Sequence, residues 1–599
     1  MRKFGFAFIT FLLCISARAQ QDSAPLHTPL NASFGAYSCD TAVALRVLRE
    51  EISSLLPATR YRYMIPACKV VLYNPDNSLI PIHDVNSELT VLPASVEKLF
   101  TTSTILWALG PKYEFRTRLD ILPGSRVEGN SVIGNVYLHP SGDPTLTISD
   151  FDSIAFRLKA QGITQIEGDV ISDLTSEDIL STDAKKYFAE EYKLMGSASG
   201  LDSILTEVDA TSAQTAEGGQ DDSDIDEEPT DEESLPGYFS QYPNFFIDRN
   251  VVTVRVAAGQ KKGAHATASI YPPIPGIRLI NRAGTSAPVT TKKYRVKRGK
   301  GKHAKWKTVT RHSKGVYSLR VTSSQGASDL EQVITITGLL PARYCRNYNI
   351  PLHNVPLAMA GLLKWRLEAN GIRVTGTSRT GKMKNPNSQL RTISEKSMPL
   401  LDLLAQTNKR SDNYLAESMF RKLSSVADVP ASGNTYRGKK MIESWMNVLG
   451  MHDPKVSFAD GSGLSHDNHE TANNVIGLLQ GIRNRPEMYN DFVSTLSVAG
   501  VDGTTRGRMI GTLAEGNAHS KTGTLNSVTA LAGYVSTKDG QLASYFITMQ
   551  NTGRSIKRYK AIQDAIVSKL ASFSYKEYLQ KYAPEKLPEP VTAPGTNRQ

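Results

Sequence analysis

The sequence predicts an α/β chain of the α+β kind, in which helices and strands interleave near both ends and enclose a strand-rich middle. Three observations carry that expectation. Helical apolar spacing marks Thr41 to Leu56, the run opened by Pro93, and Pro399 to Leu423. Short runs of β-branched and apolar residues between turn signals recur from about Phe115 to Met398. Helix, loop and strand then alternate to about Phe573.

Taken in order, the amino terminus reads as an export signal. Arg2 and Lys3 precede an apolar run of 12 residues, Phe4 to Ile15, which is too short to span a bilayer. Ala17-Arg18-Ala19 supplies small residues for cleavage after Ala19. Residues 1–19 are therefore expected to be a signal peptide. Cys14 follows Leu13, which is not small, so a lipid-modified signal is not expected. Cleavage leaves Cys39, Cys68 and Cys345, an odd number that permits at most one internal disulfide. Each is expected to act as a small buried hydrophobe. The net charge of +11 falls to +8 once Arg2, Lys3 and Arg18 are removed. A basic exported chain is compatible with contact to anionic wall polymers or a membrane surface.

Met64 to Leu72 reads as a strand, Tyr73 to Asn77 as a turn, and Leu79 to His83 as the returning strand. Pro93 then opens an apolar helix to about Leu109. Within the middle region, Val251 to Val256 and Gln332 to Thr337 alternate as strands do. Two tracts there are unusual. Glu217 to Glu233 holds ten acidic residues and no Lys or Arg, so an acidic loop over 212–236 is expected to be disordered. Lys292 to Lys314 holds eleven basic residues and no acid, with Tyr294, Val296, Trp306 and Val309 interleaved, which suggests a basic hairpin. A solvated or wall-facing hairpin is favoured there, and no nucleic-acid partner is expected, because the export signal denies it an intracellular pool. The tail 583–599 carries four prolines and is expected to be disordered.

Three short motifs carry the chemistry. Ser95-Val96-Glu97-Lys98 lies at the start of the helix opened by Pro93. Residues three apart share a helix face, so the Lys98 amine can reach the Ser95 hydroxyl. A serine hydroxyl needs a base to become a nucleophile, and a buried lysine can serve. Ser411-Asp412-Asn413 supplies a second hydroxyl to relay a proton and an amide that both donates and accepts. Ser432-Gly433-Asn434 fits the same pattern, but it lies in a Pro/Gly/Ser loop. Lys521-Thr522-Gly523-Thr524 precedes a strand-like run, Thr529 to Val535. There a lysine and a hydroxyl can hold a carboxylate, and Gly523 leaves room for a substrate backbone. Ser-x-x-Lys alone should arise by chance roughly two or three times in such a chain. The three in order, behind an export signal, are far more specific.

Together they are the signature of penicillin-binding proteins and class A β-lactamases. More narrowly, the chain resembles the class C low-molecular-mass penicillin-binding proteins, the D-alanyl-D-alanine carboxypeptidase and endopeptidase family. Further stretches carry that resemblance: Pro93-Ala94-Ser95, Leu109-Gly110-Pro111, Gly142-Asp143-Pro144-Thr145-Leu146, Asp460 to Ser465, Ala499 to Thr504, and Ala532-Gly533-Tyr534. Ser95 and Ser411 are 316 positions apart, whereas Ser411 and Lys521 are 110 apart. A long insertion after the first motif marks this class, and a class A β-lactamase would have a short one. The resemblance implies a transpeptidase/β-lactamase-like catalytic domain, an antiparallel sheet between helices, formed by 20–115 with 398–575. β-rich domains would be inserted over 116–397.

The resemblance also implies the roles. Ser95 is the nucleophile and Lys98 its base. Ser411 and Asn413 relay a proton and hold the substrate amide. Lys521 and Thr522 hold the terminal carboxylate, with Gly523 beside them. The amides of Ser95 and Thr524 form the oxyanion hole. Asp143 is expected to reach the site from the insert and meet the free amine of a peptidoglycan side chain, although Ser141 stands where the family has glycine. Asp460 and Ser462 read as a turn in the cleft wall. His466 and His469 lack a third ligand, so no metal and no cofactor is expected. The expected ligands are peptidoglycan peptides and β-lactams, and the expected compartment is the periplasm. The rivals are a β-lactamase-like hydrolase and an inactive wall-binding protein on the same fold.

Overall fold

The computed structural model describes residues 39–56, 64–175, 184, 186, 244–298, 305–313, 315–328, 330–383, 390–426, 434–552 and 556–582. The expected signal segment, acidic loop, Ser432 and proline-bearing tail lie outside these residues.

A six-stranded antiparallel sheet forms the centre. Its order is Leu79–Val85, Ile65–Tyr73, Leu542–Gln550, Val528–Ser536, His519–Leu525 and Ser497–Val498. The amino-terminal hairpin thus pairs with a strand more than 450 positions away, through Ile65↔Gln550 and Leu72↔Ala543. Both faces of this sheet are covered, and the strand sequences show why. Ala67, Val71 and Tyr73 point into one core, while Cys68, Val70 and Leu72 point into the other. Ala530, Ala532 and Tyr534 alternate in the same way with Leu531 and Val535. The second core packs under the helices Cys39–Leu55 and Ile556–Ser572. The first packs under the helices Lys98–Leu109, Leu400–Arg410, Asn413–Val426 and Asn434–Val448.

The helix Lys98–Leu109 runs through the middle of that first core, and every one of its residues is buried. Its polar residues are tolerated because their hydroxyls are bonded. Thr101 Oγ1 donates to the Gly461 carbonyl at 2.8 Å, Thr102 Oγ1 to its own helix at 2.6 Å, and Trp445 Nε1 donates to Ser103 Oγ at 3.1 Å. Gly110 ends the helix at φ 82°, a conformation that favours glycine.

Described residues from Leu119 to Ile393 build a separate third core. A five-stranded sheet orders Ser378–Gly381, Val170–Asp173, Val136–His139, Glu114–Ile121 and Arg391–Pro399. A three-stranded sheet, ordered Thr267–Tyr271, Val251–Ala257 and Cys345–Pro351, contributes to the same core. Thr290–Arg298 and Lys305–Ser313 pair as a two-stranded antiparallel hairpin, the form the basic tract suggested. This middle region is not purely β. The helices Ile148–Ala160 and Val355–Ala369 cross its core, and the second is buried on nearly every side. Cys68 is buried, as expected, but Cys345 is exposed at a strand start, where Arg255 Nε lies 3.2 Å from its sulfur. Among the described residues no helix is long and apolar enough to cross a membrane.

Candidate active site

The first motif begins with an abrupt turn. Ala94 takes φ 49°, the left-handed region that costs a non-glycine residue about 1–2 kcal/mol. A 3₁₀ turn, Ala94–Glu97, then leads directly into the central helix. Ser95 is left half-buried at the junction, while Lys98 is completely buried one turn on. Lys98 Nζ donates to Ser95 Oγ at 3.0 Å, to Asn413 Oδ1 at 2.6 Å and to the Ser462 carbonyl at 2.6 Å. One amine therefore joins the first motif, the second motif and the 460–465 loop.

The second motif occupies the tight corner between two helices. Ser411 ends Leu400–Arg410 in the left-handed conformation, at φ 55° and ψ 36°. Asn413 begins the next helix, and Asp412 Oδ1 caps it by accepting from the Leu415 amide at 3.0 Å. The corner sends the Ser411 and Asn413 side chains toward two different lysines. Lys521 Nζ donates to Ser411 Oγ at 2.7 Å and to the Thr522 carbonyl at 2.8 Å.

The third motif lies on the strand His519–Leu525, which packs against the turn that holds Ser95. Lys521 is buried opposite Ala532, and Thr522 is half-buried. Thr522 Oγ1 donates to Thr504 Oγ1 at 2.8 Å. Thr524, two residues further along, is half-buried. Gly523 is needed for a nearer reason than substrate access. A Cβ there would lie 2.8 Å from the Pro93 carbonyl oxygen and 3.1 Å from Ala94 Cβ. The glycine lets the strand and the Ser95 turn approach each other.

Asp460 organises the cleft wall. Its Oδ1 accepts from the Ser462 and Gly463 amides at 2.9 and 2.6 Å, and its Oδ2 from Ser465 at 2.7 Å. That turn aims the Ser462 carbonyl at Lys98. Gly463, at φ +83°, passes so close that a Cβ would lie 2.0 Å from the Ala94 carbonyl oxygen. His466 is exposed, and His469 contacts Ser457 Oγ at 3.2 Å. Among the described residues no group of three or more His, Cys, Asp or Glu is placed to hold a metal ion.

Asp143 comes from the middle region and docks beside the helix that follows the second motif. A Cβ on its neighbour Gly142 would lie 3.1 Å from Lys422 Cδ. The Asp143 carboxylate is buried and fully engaged. Oδ1 accepts from the Thr145 amide at 2.8 Å and hydroxyl at 2.6 Å, and Oδ2 from Lys396 Nζ at 2.9 Å. Lys396 has no motif signature, and neither does the Ser462 carbonyl, since any residue supplies one. Thr504 lies within Ala499 to Thr504, but nothing in that stretch indicates a bond to Thr522.

Behind Ser95 lie two further acids. Glu97 and Glu470 are both completely buried, and neither Glu97 oxygen has a hydrogen-bond partner. Burial pushes both carboxyls well above the usual range. For Glu97, the neighbouring charges of Glu470 and Asp460 push the same way, against the opposing pull of Lys98.

The D-Ala-D-Ala carboxypeptidase 3 (S13) family matches residues 74–193 and 304–573, well over half of the chain. A D-alanyl-D-alanine carboxypeptidase of Actinomadura sp. (strain R39) is 28% identical over 559 residues, covering 90% of this chain and 86% of its own. The D-alanyl-D-alanine carboxypeptidase DacB of Haemophilus influenzae is 24% identical over 79% of this chain and 83% of its own. The crystal structure of penicillin binding protein 4 (dacB) from Haemophilus influenzae superposes with a TM-score of 0.56 at 20% identity, covering 88% of this chain and 99% of that one. The match to the family model, across both the first motif and the last two, places the chain in the D-Ala-D-Ala carboxypeptidase 3 (S13) family.

Proposed function

We propose that this chain is a penicillin-sensitive serine D-alanyl-D-alanine peptidase that trims or opens peptidoglycan stem peptides through an acyl-serine intermediate. The observation that carries the reading is the buried Lys98 amine, 3.0 Å from the Ser95 hydroxyl and tied to Asn413 at 2.6 Å.

In this mechanism Ser95 Oγ attacks the carbonyl carbon of the penultimate D-alanine while Lys98 takes the hydroxyl proton. The negative charge that develops on the carbonyl oxygen is held by the backbone amides of Ser95 and Thr524. Ser411, bonded to Lys521, relays a proton to the leaving amine. Lys521 and the Thr522 hydroxyl receive the terminal carboxylate, and Asn413 aligns the substrate amide. Water then releases the acyl group. A β-lactam follows the same first step and stays on Ser95.

Asp143 is the candidate for recognising an amine on the stem peptide, and an incoming ammonium would compete there with Lys396. Residues 20–115 and 398–575 would form one catalytic unit interrupted by 116–397. Export to the periplasm after removal of residues 1–19 fits a wall-peptide substrate. The direct test of the reaction is D-alanine release from a stem pentapeptide, with Ser95→Ala as the blank. Release that persists in that variant would refute the assignment.

A further inference from the structure

The segment 244–250 lies outside the family match, which skips residues 194–303, yet it touches the second motif's helix at three places. Lys422 Nζ donates to Asn244 Oδ1 at 2.8 Å. The Phe246 ring stands edge-on to Tyr414, with centroids 6.3 Å apart. Arg249 Nη2 donates to Asp412 Oδ2 at 2.7 Å, and its guanidinium lies over the Tyr414 ring, 5.0 Å from the centroid. Asp412 thus divides its carboxylate: one oxygen caps the helix through Leu415, and the other takes Arg249.

The backbone that presents Arg249 is strained. Asp248, Arg249 and Asn250 have φ of 43°, 57° and 58°, three successive non-glycine residues in the left-handed region. Such strain persists only where surrounding bonds over-determine it, and it concentrates at functional sites. The bonds are present. Buried Asn250 accepts from the Ile247 amide at 3.0 Å and donates to the Phe245 carbonyl at 3.2 Å. The Asp248 amide donates to the Leu146 carbonyl at 2.9 Å, which fastens the same tripeptide to the segment carrying Asp143. The Leu352 amide donates to the Asn250 carbonyl at 2.8 Å.

We propose that Arg249 is a positioning residue for the reaction: by holding Asp412 it fixes the corner that carries Ser411 and Asn413, and so sets the rate of acylation. This rests on the acyl-serine reading above. The corner is held from within by the Asp412 amide, which donates to the Thr407 carbonyl at 3.1 Å, and by the Asp412 cap on Leu415, and the two side chains it carries must meet two different lysines, Lys98 and Lys521. Arg249 adds a brace from the middle region, on the same carboxylate that caps the second helix. Arg249 touches neither the nucleophile nor its base, so its removal alters placement and leaves the titrating groups in place.

The test uses the full chain and saturation kinetics of benzylpenicillin acylation, which separate the acylation rate constant from the binding constant. Arg249→Ala is expected to lower the acylation rate constant about tenfold, the effect of a fraction of an ångström of misplacement. The binding constant should stay within about twofold, and the pH midpoints should not move. Arg249→Lys should recover part of the loss, because it restores the charge without the planar fork. Asp412→Asn, which keeps a good helix cap, should match Arg249→Ala. The double variant should be no slower than either single one. An unchanged rate in Arg249→Ala, a loss that only tracks a lower folded fraction, or a multiplicative double variant would each overturn the proposal. Failure of the wild-type chain to acylate would instead overturn the acyl-serine reading on which it rests.

Discussion

Replacing Gly523 with alanine puts a methyl group between two parts of the site that already touch. Its Cβ would sit 2.8 Å from the Pro93 carbonyl oxygen, 3.1 Å from Ala94 Cβ and 3.2 Å from Ala530 Cβ. Comfortable contacts of this kind begin near about 3.5 Å, so the strand and the Ser95 turn must part by roughly half an ångström. Neither can give easily. The turn includes a left-handed alanine, and the strand is paired to its neighbour from His519↔Tyr534 to Leu525↔Val528. Overpacking of this degree costs about 1–3 kcal/mol. A misplacement of one ångström at a reacting centre costs about a hundredfold, so half that displacement corresponds to about tenfold in acylation. The assay is the second-order rate of labelling by a fluorescent penicillin, with the melting temperature recorded in parallel. Both should fall. Slower labelling at an unchanged melting temperature would mean that Gly523 serves only substrate access. No change in either would refute the close packing of strand and turn.

Further outcomes follow from the same geometry. Lys98→Ala should slow acylation by roughly a hundredfold to ten-thousandfold, because the Ser95 proton loses its acceptor; a loss below about tenfold would point to another base. Lys396→Ala leaves the Asp143 carboxylate buried without its cation, and should destabilise the chain by about 3 kcal/mol in denaturant melts. Adding Asp143→Asn should restore much of that loss, and failure to do so would argue that the pair is not coupled. Glu97 and Glu470 have raised folded values, so the folded state keeps protons that the unfolded chain would release. Their stabilising effect is therefore full below the ordinary glutamate range and is lost as pH rises through the raised folded values. Thermal melts from acid to alkaline pH should show this decline, and Glu97→Gln should flatten it; an unchanged slope would contradict the buried acid pair.

Much of the site was legible because each motif couples residue type to local spacing. Ser95 and Lys98 face each other because they are one helical turn apart, and that needs no tertiary information. The strands at Met64 to Leu72 and Thr529 to Val535 are also clear, though both are buried on two faces and lack the one-sided alternation of an exposed sheet. What the residues did not announce depends on distant chain. Val355–Ala369 is a helix buried on nearly all sides, so it has no polar face to set a helical period, and the middle region read as more purely β than it is. The Ser462 carbonyl carries no residue signature. Lys396 meets Asp143 from 253 positions away, and Arg249 meets Asp412 from 163. Cysteine favours burial, which predicts Cys345 inside, but it lies exposed where its strand begins.

Whether Ser95 carries the acyl group is decided by peptide mass spectrometry after incubation with benzylpenicillin. A stable adduct of one penicillin on the peptide containing Ser95, absent from Ser95→Ala, is the expected result. An adduct mapped to another serine, or penicillin consumed with no adduct formed, would contradict it.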